Sequence, residues 1–162
     1  MGMTGYYLRV TPQQLAALEA APETVAAVVF DQGISDTDER RLDIDKAWHA
    51  IHFLLNQDPY VGHELYNVVL GGEPLGADLS IGPARTFSAS EVAAMATVLQ
   101  GISAAELRER WDPQELQEHD IYPQIWDEGD EAIEYVLGNY ERLVAFFAAA
   151  ARDGNAIIAY IL

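Results

Sequence analysis

Apolar positions along this chain follow two different periods. From Asp130 to Arg152, residues Ile133, Leu137, Tyr140, Val144, Phe147 and Ala151 recur in steps of four and three, which puts them on one stripe of a long helix. Gly154 is placed to end that helix. The next segment, NAIIAYIL, is almost continuously apolar, the pattern of a strand buried on both faces inside a sheet. At the other end, Thr4 to Val10 mixes aromatic and β-branched residues and predicts a strand to lie beside it.

Helix starts punctuate the region between. Thr11 with Pro12 reads as a cap and first helical position leading into QQLAALEAA. Pro22 with Glu23 opens a second helical piece to about Phe30, and the polar stretch DQGISDTDERR reads as a loop. From Asp43 the residues Ile44, Trp48, Ile51 and Leu55 fall at helical spacing. A further helix is predicted around HELYNVVL, ending at Gly71 and Gly72. The glycine- and proline-rich GGEPLGADLSIGPA then reads as a connector, with a short strand from Ala84 to Phe87. Ser88 with Glu91, Ser103 with Glu106, and Asp112 with Glu115 have the spacing of capping boxes and predict three short helices. A loop, HDIYPQIWDEG, precedes the long helix. No linker or repeat interrupts residues 1–162, so the expectation is one compact α+β domain: a small sheet pairing the two terminal strands, covered by several helices.

Composition narrows the function classes. A chain of 162 residues is long enough to bury roughly 70% of its unfolded surface, so it needs no staple. Cysteine is absent, which removes thiolate nucleophiles, disulfides and zinc-thiolate sites and fits a reducing compartment. The formal net charge is −17, from 26 acidic and 9 basic residues. Nucleic acid is therefore excluded as an expected partner, because its binding rests on neutralising phosphates with Lys and Arg. A basic protein partner is the kind such a charge attracts, although acidity serves solubility equally well. The opening MGMTGYYLRV lacks the pattern of a secretory signal, and the apolar run LVAFFAAAA falls far short of the roughly 20 residues that span a bilayer. A soluble, cytoplasmic protein without membrane attachment is expected.

Several blocks carry a resemblance. MGMTGYYLRV, LDIDKAWHAIHFLL, GGEPLGADLSIGPAR, the Tyr-Pro of IYPQIWD, and the long helix closing in DGNAIIAYIL resemble the YfbM-like family of bacterial domains of unknown function. The resemblance runs from Met1 to the C-terminus, and LDIDKAW followed by His52 is its most specific block. It implies a compact α+β fold and a small cytosolic bacterial protein, and it implies no activity. Position 49 is free in the family pattern, whereas His52 belongs to it.

The chemically capable side chains concentrate in RRLDIDKAWHAIHFLL. On a helix beginning near Asp43, residues Asp45, His49 and His52 share a face. That face is a conceivable metal site, but without a third, distant ligand in recognisable spacing no metal or other cofactor is expected. Asp43 and Asp45 read as a helix cap and a partner for the helix dipole, with acid-base chemistry as the competing role. Lys46 is expected in a surface ion pair. Arg85 reads as a tie to a carboxylate of the LDID segment, or as an anion-binding arginine. Tyr122 and Asp127 complete the candidate polar site; the acids around Asp127 also suit the start of a helix. Two function classes follow. One is a non-catalytic protein-binding or regulatory domain with an acidic surface. The other is a small-ligand-binding protein or hydrolase built around Asp45, His52 and Arg85. No motif fixes an oligomeric state.

Overall fold

A computed structural model describes residues 2–35 and 37–162. Its centre is a five-stranded, wholly antiparallel sheet in the order β2-β1-β5-β4-β3. The strands are β1 (Gly5–Val10), β2 (Arg41–Asp43), β3 (Glu73–Ser80), β4 (Gly82–Phe87) and β5 (Ala156–Ile161). The two terminal strands pair along their whole length, from Gly5 opposite Ile161 to Val10 opposite Ala156. Every residue of β5 is buried, which is why AIIAYI carries no polar alternation. Ile157, Ala159 and Ile161 enter one core, while Ala156, Ile158 and Tyr160 enter the other.

The second core is small. Helices α1 (Pro12–Ala20) and α2 (Val25–Val29) close it by laying Leu15, Leu18, Val25 and Val29 over Leu8, Val10 and Ile158. Thr11 and Gln14 form a reciprocal capping box at the start of α1, satisfying two backbone donors that helix geometry would otherwise leave open. The larger core on the opposite face holds α3 (Trp48–Asn56), α4 (Ala89–Gln100), α5 (Ala104–Glu109), α6 (Pro113–Glu118) and α7 (Asp130–Arg152). Ser88, Ser103 and Asp112 cap α4, α5 and α6 with their side chains. The buried Tyr140 of α7 donates its hydroxyl proton to the Ile102 carbonyl at 2.7 Å, fixing the α4–α5 corner.

Three sequence expectations fail here, each for a physical reason. Residues 41–43 are a short edge strand, and a 3-10 turn at Asp45–Ala47 intervenes before α3 begins at Trp48; only Leu42 of the strand points into the core, so alternation had no length in which to show. HELYNVVL forms a single 3-10 turn, Glu64–Tyr66, followed by irregular backbone that buries Val68 and Val69. GGEPLGADLSIGPA is a β-hairpin rather than a connector. Its outer strand, β3, is an irregular edge strand containing Pro74 and Gly76. Such residues are tolerated at an edge, where they also discourage pairing with another chain.

The end of α7 follows a Schellman geometry. Gly154 N–H donates to the Ala151 carbonyl at 3.2 Å, Asn155 N–H donates to the Ala150 carbonyl at 2.8 Å, and Gly154 has φ 67°. That backbone is left-handed and suits glycine. Arg9 of β1 locks the same corner, contacting Asn155, the Ala149 carbonyl and Asp153. Gly154→Ala should therefore cost about 1 kcal/mol in urea unfolding. Gly138→Ala, at an exposed α7 position where an added Cβ meets nothing within 4 Å, should instead gain about 0.5–1 kcal/mol.

Candidate functional site

All nine residues of α3 are buried, and three of them are polar. His49, His52 and Asn56 are spaced three and four apart along an otherwise apolar helix. Because buried polar atoms lose several kcal/mol unless hydrogen-bonded, this stripe dictates what surrounds it. His49 accepts the Tyr122 backbone N–H at Nδ1 (3.0 Å) and donates from Nε2 to the Pro59 carbonyl (2.8 Å). Those partners define a neutral ring with its proton on Nε2. Asn56 donates to the carbonyls of His52 and Tyr66 and accepts the His63 N–H at 2.8 Å. Both ends of the loop after α3 are thereby tied back to the helix.

His52 is 0% exposed. Its Nδ1 faces the Asn56 amide at 3.4 Å; its Nε2 finds no hydrogen-bond partner of good geometry among the described residues. Burial is the main cause that lowers its pKa to about 4, and the nearby His49 and Arg85 act in the same sense. The backbone at Val61 and the charge of Asp58 oppose the shift without cancelling it. His52 is neutral at pH 7, sealed from solvent and unsuited to exchanging protons with a substrate.

The other candidates have separate local partners. Asp43 accepts the Asp45 N–H in an Asx-type turn, and Asp45, at φ 47°, accepts the Tyr135 hydroxyl proton at 2.9 Å. The same hydroxyl accepts the Lys46 N–H at 3.0 Å. Neither aspartate caps α3, because the intervening 3-10 turn moves the helix start away from them and no side chain caps it. Lys46 makes no ion pair among the described residues; it is half-buried, packed where a Cβ on Gly2 would collide with its Cε. Tyr122 takes the Met3 N–H on its hydroxyl at 2.9 Å and stacks on Trp48 with ring centres 5.8 Å apart. Asp127 is exposed, in the turn before α7.

Among the described residues Arg85 pairs with no carboxylate. Its Nη1 donates to the carbonyls of Val69 and Gly71. The expected tie exists, but backbone oxygens make it. Gly72 permits the approach: it has φ 96°, and a Cβ there would lie 3.0 Å from the Thr86 carbonyl. Asp45, His49 and His52 form no shared metal face either. His49 has spent both ring nitrogens, and Asp45 precedes the helix that would have aligned them. Thus the six candidates, Asp43, Asp45, His52, Arg85, Tyr122 and Asp127, do not converge on one site.

Sequence reasoning missed the residues that connect these groups. Tyr60, His49, Trp48 and Tyr122 form a continuous ladder of rings, with centres 5.6, 4.9 and 5.8 Å apart in turn. Asn56 was visible as the third polar position of the α3 stripe; Tyr60 and Tyr135 carried no signal, because only tertiary contact gives them a role. Three clefts border the region or the sheet. One of about 290 Å³ lies beside Trp48, Tyr60 and Arg85. Another of about 300 Å³ is lined by Asp45, Lys46, Pro123, Ile125 and Tyr135. The third, about 520 Å³, lies between β1 and α1–α2. Its polar side chains are already engaged, Gln14 in the capping box, Arg40 with Asp38 and Thr24 with the Ala21 carbonyl.

With this geometry in hand, comparison with known proteins is informative. The family model described as a domain of unknown function, DUF1877, matches residues 1–160. The chain belongs to the DUF1877 family. Protein YfbM of Escherichia coli (strain K12) is 28% identical to this DUF1877 chain over 171 residues, covering 100% of it and 99% of YfbM. The crystal structure of YfbM from Escherichia coli, a protein of unknown function, superposes with a TM-score of 0.74 at 24% identity, covering 98% of this chain and 99% of that one. The α+β fold is therefore shared with YfbM. Among the described residues, no helix of the DUF1877 chain is long and apolar enough to cross a membrane.

The neutral, buried His52 has a consequence for acid stability. Its unfolded pKa is about 6.5 and its folded value about 4, so the unfolded chain binds a proton first as pH falls. Its contribution is fully present above pH 6.5 and is lost as pH falls towards 4, by on the order of 3 kcal/mol. Urea midpoints measured from pH 7 to 4.5 should fall for the wild type and fall visibly less for His52→Leu, which has no ring to protonate. Equal slopes would show that His52 is not the neutral, desolvated group described.

Proposed function

We propose that this protein is a non-catalytic binding domain of the bacterial cytosol whose acidic helical region takes a basic protein partner. The observation that carries this reading is the distribution of charge. Residues 106–141, spanning α5, α6 and the first half of α7, hold 12 of the 26 acidic residues and 2 of the 9 basic ones. All twelve are exposed, and among the described residues only Glu134 of the twelve is ion-paired, with Arg108. An unneutralised surface of one sign raises the rate at which an opposite surface docks and repels wrong partners. The dispersal of Asp43, Asp45, His52 and Arg85 into separate structural contacts weighs against a hydrolase built on them. It leaves binding as the chemistry these residues support.

Affinity capture from bacterial lysate tests this at low and physiological ionic strength, about 0.01 M and 0.15 M. The expected result is a basic protein retained more strongly at low salt by the wild type, and lost by a variant carrying Glu109→Gln, Glu118→Gln, Glu128→Gln and Glu141→Gln. Capture of no protein at either salt, or equal capture by the neutralised variant, would overturn the proposal.

A further inference from the structure

We infer that the cleft beside Arg85 is a binding site for a small organic carboxylate with an apolar body, its two oxygens taken by the unused edge of the Arg85 guanidinium. Arg85 spends only Nη1, on the carbonyls of Val69 and Gly71. Its Nε and Nη2 have no partner among the described residues, yet neither is sealed from solvent. These two atoms form the planar, two-donor edge that fits a carboxylate. Of the eight arginines, Arg9, Arg40, Arg108 and Arg152 have each found an aspartate or glutamate, while Arg41, Arg110 and Arg142, like Arg85, donate to uncharged oxygens. What marks Arg85 is that, lining a cleft, it leaves two adjacent donors of its guanidinium without a partner among the described residues and unsealed.

The walls supply the apolar part. Arg85 lines the cleft of about 290 Å³ together with Trp48, Tyr60, Leu70, Ile81 and Pro83. Tyr60 and Ile81 are 68% and 44% exposed, large apolar groups kept at its mouth. Neither wall is slack. Asp58 accepts the backbone N–H groups of Tyr60 and Val61, and the Tyr60 ring leans on His49. Trp48 is fixed by its indole N–H on the Met3 carbonyl at 3.0 Å and by stacking with His49 and Tyr122. Few polar groups in a preformed apolar cleft is the usual build of a small-molecule site. A phosphate is a poorer fit, since the cleft offers one cationic side chain and a net charge of −17 repels a dianion more than a monoanion.

The test uses 3-phenylpropanoate and its uncharged amide as probes, followed by amide and indole chemical shifts in ¹H–¹⁵N spectra of the full chain. The acid should shift the Trp48 indole and residues 81–85 saturably at millimolar concentration, with the amide weaker by about tenfold or more. Arg85→Lys should weaken the acid by about tenfold, because a point charge replaces the planar fork. Because Arg85 also holds the backbone, Ile81→Glu provides an independent variant: it sits in the exposed turn between β3 and β4, leaves the fold's ties alone and puts a repelling carboxylate at the mouth. It should weaken the acid more than the amide. An absence of saturable shifts, equal binding of acid and amide, or unchanged acid binding in Ile81→Glu would overturn the inference. None of these outcomes depends on whether the acidic helical region binds a protein.

Discussion

A helix buried on every side can carry polar side chains only if its surroundings are built to satisfy them, and α3 carries three. His49 and Asn56 have that requirement met in full, whereas His52 keeps a buried Nε2 without a partner of good geometry among the described residues. Meeting it places Pro59, His63 and Tyr66 of the following loop and the backbone at Tyr122 against the helix. Each of these bonds closes a long or medium-range connection in an environment where leaving it open costs about 1–3 kcal/mol. The ladder of rings from Tyr60 to Tyr122 follows from the same anchoring, because His49 is its second ring and Trp48 precedes it in sequence. Removing one member would release a whole loop along with its single contact.

The electrostatics divide along the same line. Negative charge is carried outside, most densely on α5, α6 and the first half of α7, where water screens it. Inside, the titratable groups are held neutral or turned onto backbone oxygens: both α3 histidines have lowered pKa values through burial, and the Tyr7 hydroxyl, donating to the Val68 carbonyl, is raised by burial. Arg41 and Arg85 are both turned onto backbone oxygens with part of the guanidinium left over, the buried Nε in Arg41 and Nε with Nη2 in Arg85. Of the two, Arg85 keeps its leftover edge open to solvent and lines the cleft bordered by Trp48 and Tyr60.

Much of the frame was readable because it rests on local rules. The stripe of α7, the three side-chain caps and the unbroken apolar run of β5 are each decided by a window of a few residues. The sheet's edges were not readable for the opposite reason. Arg41–Asp43 is too short for a period, and Glu73–Ser80 carries the proline, glycine and acid that protect an edge and imitate a loop. For the candidate site, sequence singled out the segment around α3 together with His52 and Arg85, and the structure gives Arg85 partners of a different kind. A carboxylate for Arg85 is the natural expectation in an acidic chain; the carbonyls of Val69 and Gly71 replace it because Gly71 and Gly72 let the backbone turn close enough. The positive φ of Asp45 likewise broke the helical register that would have aligned it with His49 and His52. That register was an assumption of regularity, and the 3-10 turn before Trp48 removed it.

The central claim is that His49 and Asn56 of the α3 stripe are satisfied internally and organise the loops around the helix, instead of serving as reactive machinery. Its most direct test is the tautomer of His49, read from long-range ¹H–¹⁵N correlations of the imidazole rings at neutral pH. The account predicts a single neutral form, protonated at Nε2 and unprotonated at Nδ1, that takes up a proton only at lower pH than a free imidazole because burial lowers its pKa. A ring that exchanges between tautomers, or that becomes an imidazolium at or above pH 6.5, would contradict it, since neither the Tyr122 nor the Pro59 hydrogen bond could then be the fixed constraint described.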